Sequence, residues 1–305
     1  MRSFETLPEL REALALTSDS VYLLPIHVCL KHEIAGVYPE AKCVAYGYPS
    51  SCPQLWMLIR RNKFTRAHVF MGSRTYEFLT EAAIDEFLFL ALPHLIDLSE
   101  FSTRILGVQL TNRMSEILSS HFDFSAPSLL GNYFLINVDK QREIAALSIE
   151  LPDGYEFFEL DPEKDSLPIA ESWKFSSPGE RDQFAAKIRS FPSVGIRTTV
   201  GGELASFIVL DSSSFFNHQY TYPEHRQRGL ASAAELRLAQ KVIKRGLHPM
   251  KFVEQENTAV SLRSLKSPWW STVVDETGVP LLNDHRVVYR LSSFAPNLSP
   301  ISPTG

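Results

Sequence analysis

The run YTYPEHRQRGLASAAELRLAQKVIKRG, Tyr220 to Gly246, constrains this 305-residue chain more than any other stretch. It sets an extended aromatic segment, a Pro-Glu turn, an R-x-x-G-x-A loop and a long helix in that order. Thr221 and the tyrosines beside it favour a strand, because β-branched and aromatic side chains suit a pleated surface, and Pro223 ends it because it cannot donate to a ladder. From Arg226 to Ala231 the side chains shrink, and Gly229 and Ala231 let a ligand approach the backbone. Leu230, Ala234, Leu238 and Val242, with Ala231, Ala239 and Ile243, then form a helical apolar stripe. Lys244, Arg245 and Gly246 supply the stop. A helix opened by small residues presents its first free N–H groups and the positive end of its dipole, which favour a phosphate-like anion, and Arg226 and Arg228 add charge-assisted donors.

With 44% hydrophobic residues the chain can bury two cores of ordinary size. A net charge of -5 and a pI near 6.0 argue against nucleic acid as the main partner. The basic cluster Arg60, Arg61, Lys63 and Arg66 reads as a solvated edge or turn. Cys29, Cys43 and Cys52 are odd in number and lack C-x-x-C spacing, so neither a disulfide framework nor a metal site is indicated, and reduced intracellular thiols are expected. FLFLALPHLIDL is too short for a membrane span and contains Pro93, so it reads as a core helix and no membrane partner is expected. Glu5, Glu9 and Glu12 speak against a secretory signal or transit peptide, which makes the expected location cytoplasmic.

The chain divides near Asp153 and Gly154. Residues 1–153 read as an α/β unit: a helix at LPELREALAL, an extended or mixed run at VYLLPIHVCLKHEI, a hairpin of AKCVAYGYP with QLWMLIRR, a strand at AHVFMG and a helix at AAIDEFLFLAL. Residues 154–292 read as α+β. LPIAESW and ERDQFAAKIRSF are helical, GIRTTV and ELASFIVLD form a hairpin over Gly201 and Gly202, and FFNHQYTY is the next strand. After the long helix come a strand at KFVEQE, a short helix from Thr258 to Leu265, and strands around TVVDE and HRVVYRL. A groove is expected where the strand ending at Tyr222 parts from the one starting near Lys251. Residues 293–305 are rich in serine and proline and read as a disordered tail.

The Tyr220–Gly246 run resembles the acyl-CoA-binding motif of the GNAT superfamily of N-acyltransferases, a strand, then Q/R-x-x-G-x-G/A, then a helix. The strand–Asn257–helix segment that follows is a second GNAT-like feature. Upstream, Trp173, Glu180, Arg181, Phe191, Pro192, Gly201, Gly202 and Asp211 stand where the glycine N-acyltransferase family has its tryptophan, Glu-Arg pair, Phe-Pro, hairpin glycines and strand-closing aspartate. The resemblance covers roughly residues 160 to 289. It implies a mixed central sheet flanked by helices, an α/β (α+β) fold of GNAT type, preceded by a degenerate GNAT-like copy in the first half. It implies acyl-CoA as cosubstrate, with no permanently bound cofactor, and a small amine or amino acid such as glycine as acceptor. The pyrophosphate would lie on Arg226, Gln227, Arg228, Gly229, Leu230 and Ala231. The backbone of Gln219, Tyr220, Thr221 and Tyr222 would hold the pantetheine amides and polarise the thioester, with Asn257 beside the arm. Members of that family are often mitochondrial, which is the alternative location.

Two expected groups are missing. The acid that the family carries early in the central strand is replaced by Ser214 and Phe215, and the tyrosine that protonates the leaving thiolate is replaced by Ser264. His218 is then the candidate general base, on a face shared with Phe216, Tyr220 and Tyr222 by strand alternation, and Glu224 acting through a water is the runner-up. Arg181, Arg197 and Arg263 are the cations available for an acceptor carboxylate. Trp269 and Trp270 read as packing for the sheet end. The missing groups also motivate the alternative reading, a GNAT-fold protein that binds coenzyme A or a partner without turnover.

Overall fold

The computed structural model describes residues 1–77, 79–124, 129–174 and 176–292; the tail at 293–305 lies outside them. The first half runs β1 (Arg2–Phe4), α1 (Leu7–Leu16), α2 (Leu24–Ile34), β2 (Ala41–Tyr48), β3 (Leu55–Asn62), β4 (Ala67–Ser73), α3 (Glu81–Ile96), β5 (Glu100–Leu106), α4 (Val108–Leu118), β6 (Phe122–Phe124), β7 (Leu129–Leu135) and α5 (Val138–Ala145). The second runs β8 (Tyr155–Phe158), α6 (Ser166–Glu171), α7 (Glu180–Ser190), β9 (Ser193–Thr198), β10 (Leu204–Leu210), β11 (Phe215–Thr221), α8 (Leu230–Lys244), β12 (Met250–Glu254), α9 (Thr258–Leu265), β13 (Ser271–Thr272), β14 (Leu282–His285) and β15 (Val287–Arg290).

The same order of elements appears twice. In each half two helices precede an antiparallel meander, a helix crosses over, and the next strand pairs in parallel with the last of the meander. β4 with β5 and β11 with β12 are the two parallel pairs. The halves then exchange strands. β7 leaves the first half to pair antiparallel with β12, while β14 pairs with both β5 and β7 and β15 returns to β5. One continuous sheet results, in the order β1-β2-β3-β4-β5-β14-β7-β12-β11-β10-β9-β8, and its pairing crosses the 153/154 boundary in both directions.

Three sequence expectations change here. VYLLPIHVCLKHEI, read as extended or mixed, is a helical turn followed by α2. Pro25 sits in the first turn, where its missing N–H costs nothing, and Ile26, Cys29 and Leu30 face the core. β14 was not anticipated. Arg60, assigned to a solvated edge, is 1% exposed. Its Nη1 donates to Asp211 at 2.8 Å and to Ser212, and Nη2 to the His68 ring at 2.6 Å. The Lys187 ammonium lies 3.4 Å from the same carboxylate. Burial alone would raise the Asp211 carboxyl, but Arg60 and Lys187 override it and hold the group well below the usual range.

This ion cluster joins β3 of one half to the end of β10 in the other. Replacing Asp211 with Ala leaves Arg60 and Lys187 buried without their shared carboxylate and is expected to cost about 3–5 kcal/mol. Urea unfolding should show that loss in one transition shared by both halves.

Candidate functional site

The strands that part are β11 and β12. They pair only at Phe215 with Met250 and Phe216 with Lys251, whereas β11 stays on β10 as far as Thr221. From Asn217 onward the β11 edge facing β12 carries backbone groups without a ladder partner on that side. Along the opposite edge, on β10, Asn217 faces Val209 and Gln219 faces Ile208, so His218 is the extra residue of a β-bulge, at φ +29°. The bulge corrects the alternation read from sequence. Phe216 packs edge-on against Trp270, while His218 lies against Phe184, Phe207 and Tyr220 on the other face, and Tyr222 meets Tyr220 there. The His218 Nε2–H donates to the Ile169 carbonyl at 3.1 Å, with Ser172 Oγ at 2.9 Å, so the lone pair is on Nδ1. Burial brings its pKa down to about 4.

Beyond Thr221 a helical turn at Pro223–His225 leads into a loop with Gln227 at φ +61° and Gly229 at φ +78°. Ala233 donates back to the Gly229 carbonyl at 3.1 Å, and the N–H groups of Leu230, Ala231 and Ser232 before it have no acceptor in the described chain. Gln219 Nε2 braces this end by donating to the Ala231 carbonyl at 2.6 Å. Arg226 Nε donates to the Thr221 carbonyl at 3.0 Å, and its guanidinium lies 5.6 Å from the Tyr220 ring centroid. Arg228 sits 5.8 Å from the centroid of Tyr155. Leu230 buries its side chain in the core, leaving its N–H toward the loop.

Two adjoining cavities follow this edge. One, of about 520 Å³, is lined by Thr221, Arg226, Gln227, Gly229, Ala231 and Arg263. The next, of about 380 Å³, is lined by Asn217, His218, Gln219, Tyr220, Lys251 and Asn257, and shares Gln219, Tyr220 and Val260 with the first. Asn257 leaves its amide unused as a cap on α9. The groove therefore runs from the start of α8 to the parting of the strands. Glu224 is exposed on its turn and lines neither cavity.

A third cavity, of about 320 Å³, lies between the halves and shares Arg104, Trp173, Phe216, Asn217, Phe252 and His285 with the second. Several of its groups escaped the sequence reading as site residues. His285 donates its Nδ1–H to the Thr103 carbonyl at 2.8 Å, which makes Nε2 the lone-pair nitrogen. Burial, then the nearby Arg104, holds this ring well below the usual histidine range. Burial raises the Glu180 carboxyl, whose Oε1 accepts from Ser177 at 3.3 Å and whose Oε2 has no partner among the described residues. On the groove side, the Lys251 ammonium donates to Glu235 at 2.9 Å and lies 4.2 Å from the Trp270 ring centroid. Nothing local in the sequence marks Arg104 or His285, because strand pairing alone brings them here. Of the cations considered for a carboxylate, Arg197 is held by Asp165 at 2.9 Å, Arg263 faces the first cavity, and Arg181 is exposed.

Residues 193–263 match the family model described as FR47-like protein. No curated protein matches the chain. Among solved structures, a Drosophila protein from a structural genomics programme is similar with a TM-score of 0.71 at 15% identity, over 95% of this chain and 98% of that one. A tandem GNAT protein from the clavulanic acid biosynthesis pathway has a TM-score of 0.53 at 10% identity, over 94% and 95%. A GCN5-related N-acetyltransferase from Kribbella flavida has a TM-score of 0.53 at 11% identity, over 88% and 96%. The fold is the tandem GNAT fold, with the FR47-like match on the half that carries the groove. None of these comparisons names the glycine N-acyltransferase family.

His218 provides a check on the site's electrostatics. Its folded pKa lies below the ordinary 6.5, so the unfolded chain binds the proton more readily. The ring's contribution to stability is whole above pH 6.5 and falls away between 6.5 and about 4. Imidazole chemical shifts should show His218 neutral at pH 5.5, where an exposed histidine is mostly protonated; a midpoint near 6.5 would contradict the buried geometry.

Proposed function

We propose that the chain is an acyl-CoA-dependent N-acyltransferase acting on a small amine. The observation that carries this is the continuity of the site: an anion-ready helix end leads through Gln219 and Tyr220 along an unpaired strand edge, which joins the cavity between the halves at Asn217. The free N–H groups of Leu230, Ala231 and Ser232, with Arg226, suit the pyrophosphate. The open edge of β11 suits the pantetheine amides, and backbone N–H groups at the bulge suit the thioester carbonyl. The cavity between the halves brings the acceptor to the other side of the parting.

In the reaction the amine nitrogen attacks the thioester carbon. The nitrogen loses a proton, the C–S bond breaks, and the thiolate of coenzyme A takes a proton from solvent. An acceptor stored as ammonium must first be deprotonated. His285 is our choice for the base, since it lines both the groove and the acceptor cavity with Nε2 as its lone-pair nitrogen. His218 is the second reading, favoured by its place on the bulge at a φ that non-glycine residues rarely adopt. Both rings are neutral at pH 7, so kcat/KM should rise with pH as the acceptor amine deprotonates and show no inflection at 6.5. Loss of activity in His285→Gln with retention in His218→Gln supports the first assignment, and the reverse pattern supports the second.

The direct test is free-thiol release from acetyl-, benzoyl- and longer acyl-CoA across a panel of amines and amino acids. Acceptor-dependent release supports the transferase, and glycine among the best acceptors would support the finer resemblance to glycine N-acyltransferases. A thermal shift with coenzyme A but no release would instead support a binding protein. Ser232→Glu separates binding from folding. A carboxylate in the first turn of α8 suits the helix dipole and leaves stability unchanged or raised, while it repels a pyrophosphate at the same place. Coenzyme A affinity, read by calorimetry, should fall at least tenfold.

A further inference from the structure

The cavity between the halves contains two charged groups of opposite sign that form no ion pair among the described residues. Asp211 there is held by Arg60 and Lys187, Arg66 by Glu100 at 3.2 Å, and Arg286 by Asp284 at 2.8 Å. Arg104 and Glu180 differ. Among the described residues Arg104 forms no ion pair, and its buried Nη1 has no hydrogen-bond partner. Its guanidinium rests 5.2 Å from the Phe252 ring centroid, and burial draws its pKa down to about 10. The Phe252 ring occupies its place because Gly131 has no side chain, since a Cβ there would lie 2.3 Å from that ring. Glu180, in the same cavity, keeps a free Oε2.

The carboxylates that act on Arg104, Asp211, Glu254 and Asp284, are each bound to another cation. A buried cation with no direct ion pair costs folding free energy that an anionic ligand recovers, while a guanidinium supported on a ring offers a planar fork of donors. We propose that this cavity is the acceptor subsite and that Arg104, contributed by β5 of the first half, binds the carboxylate of an amino-acid-like acceptor. Glu180 supplies the opposite charge for its ammonium group. This rests on the acyltransferase reading for turnover, but the binding step stands on the cavity alone. It gives the first half, which lacks the anion-ready helix end, a part in recognition.

The test compares each of a panel of amino acids with its own amide in the thiol-release assay, for the wild type and for Arg104→Leu and Arg104→Lys. The wild type should prefer the acid. Arg104→Leu should raise KM for the acid at least a hundredfold, change KM for the amide less than threefold, and leave the coenzyme A thermal shift intact. Arg104→Lys keeps the charge but loses the fork, so an intermediate rise of about tenfold is expected. Arg104→Leu should also melt at or above the wild-type temperature without ligand, as removal of an unpaired buried charge requires; if it fails to fold, the lysine variant decides. Equal use of acid and amide by the wild type, or equal KM effects on both, overturns the proposal. Calorimetry with N-acetylglycine separates this from failure of the acyltransferase reading. If no amine releases thiol but N-acetylglycine binds the wild type and Glu180→Gln and not Arg104→Leu, the carboxylate subsite stands without turnover. If N-acetylglycine does not bind the wild type, the subsite is rejected.

Discussion

The exchange of strands at the centre of the sheet is the constraint on which the remaining structure depends. β14 hydrogen-bonds to β5 on one side and β7 on the other, so neither half has a complete sheet of its own. Backbone groups left bare in a sheet interior are costly, and this pairing ties the halves more firmly than a surface contact between separate domains. The buried Arg60–Asp211 pair is tolerable on the same terms, because the pairing fixes the geometry in which Asp211 meets Arg60 and Lys187 together. The apolar core also crosses the divide, with Leu106 and Tyr133 packing in one cluster with Ile208 and Leu238.

The two copies of the fold differ where ligand chemistry would be decided. In the first, β4 and β5 stay paired from Ala67 with Phe101 to Met71 with Ile105, so no groove opens. The crossing helix α3 begins at Thr80, whose own hydroxyl accepts from the Ala83 N–H and so occupies the end that an anion would need. In the second, the strands part after Phe216, a bulge turns the edge, and α8 begins at a left-handed glycine without a side-chain cap. One Thr-for-Gly difference at a helix start and a shorter parallel register distinguish a structural copy from one with a binding groove.

Much of this was legible in the sequence where the signal is local. The helix from Leu230 with its glycine start, the hairpin over Gly201 and Gly202, and a groove between the strand ending at Tyr222 and the one starting near Lys251 follow from periodicity, turn chemistry and the family resemblance. What escaped depends on distant partners. Arg60 looks like part of a basic surface run until β10 places Asp211 beside it. β14 is a short segment whose strand character comes from β5 and β7, and Thr103 and Arg286, joined across it, are 183 residues apart. The bulge at His218 has no glycine to mark it, so strict alternation put Phe216 on the wrong face. Arg104 and His285 become neighbours of the groove only through the exchange.

The exchanged strand also orders events in time. During synthesis β5 and β7 emerge long before β14, and until it arrives each offers an open edge to any extended chain nearby. Contacts of such high sequence separation form late and slowly. The chain therefore passes through a stage in which most of its residues are made and its central sheet is unfinished, when a chaperone or a second nascent copy competes for the same edges. The feature that welds the finished protein together leaves its central edges open until the last strands are in place.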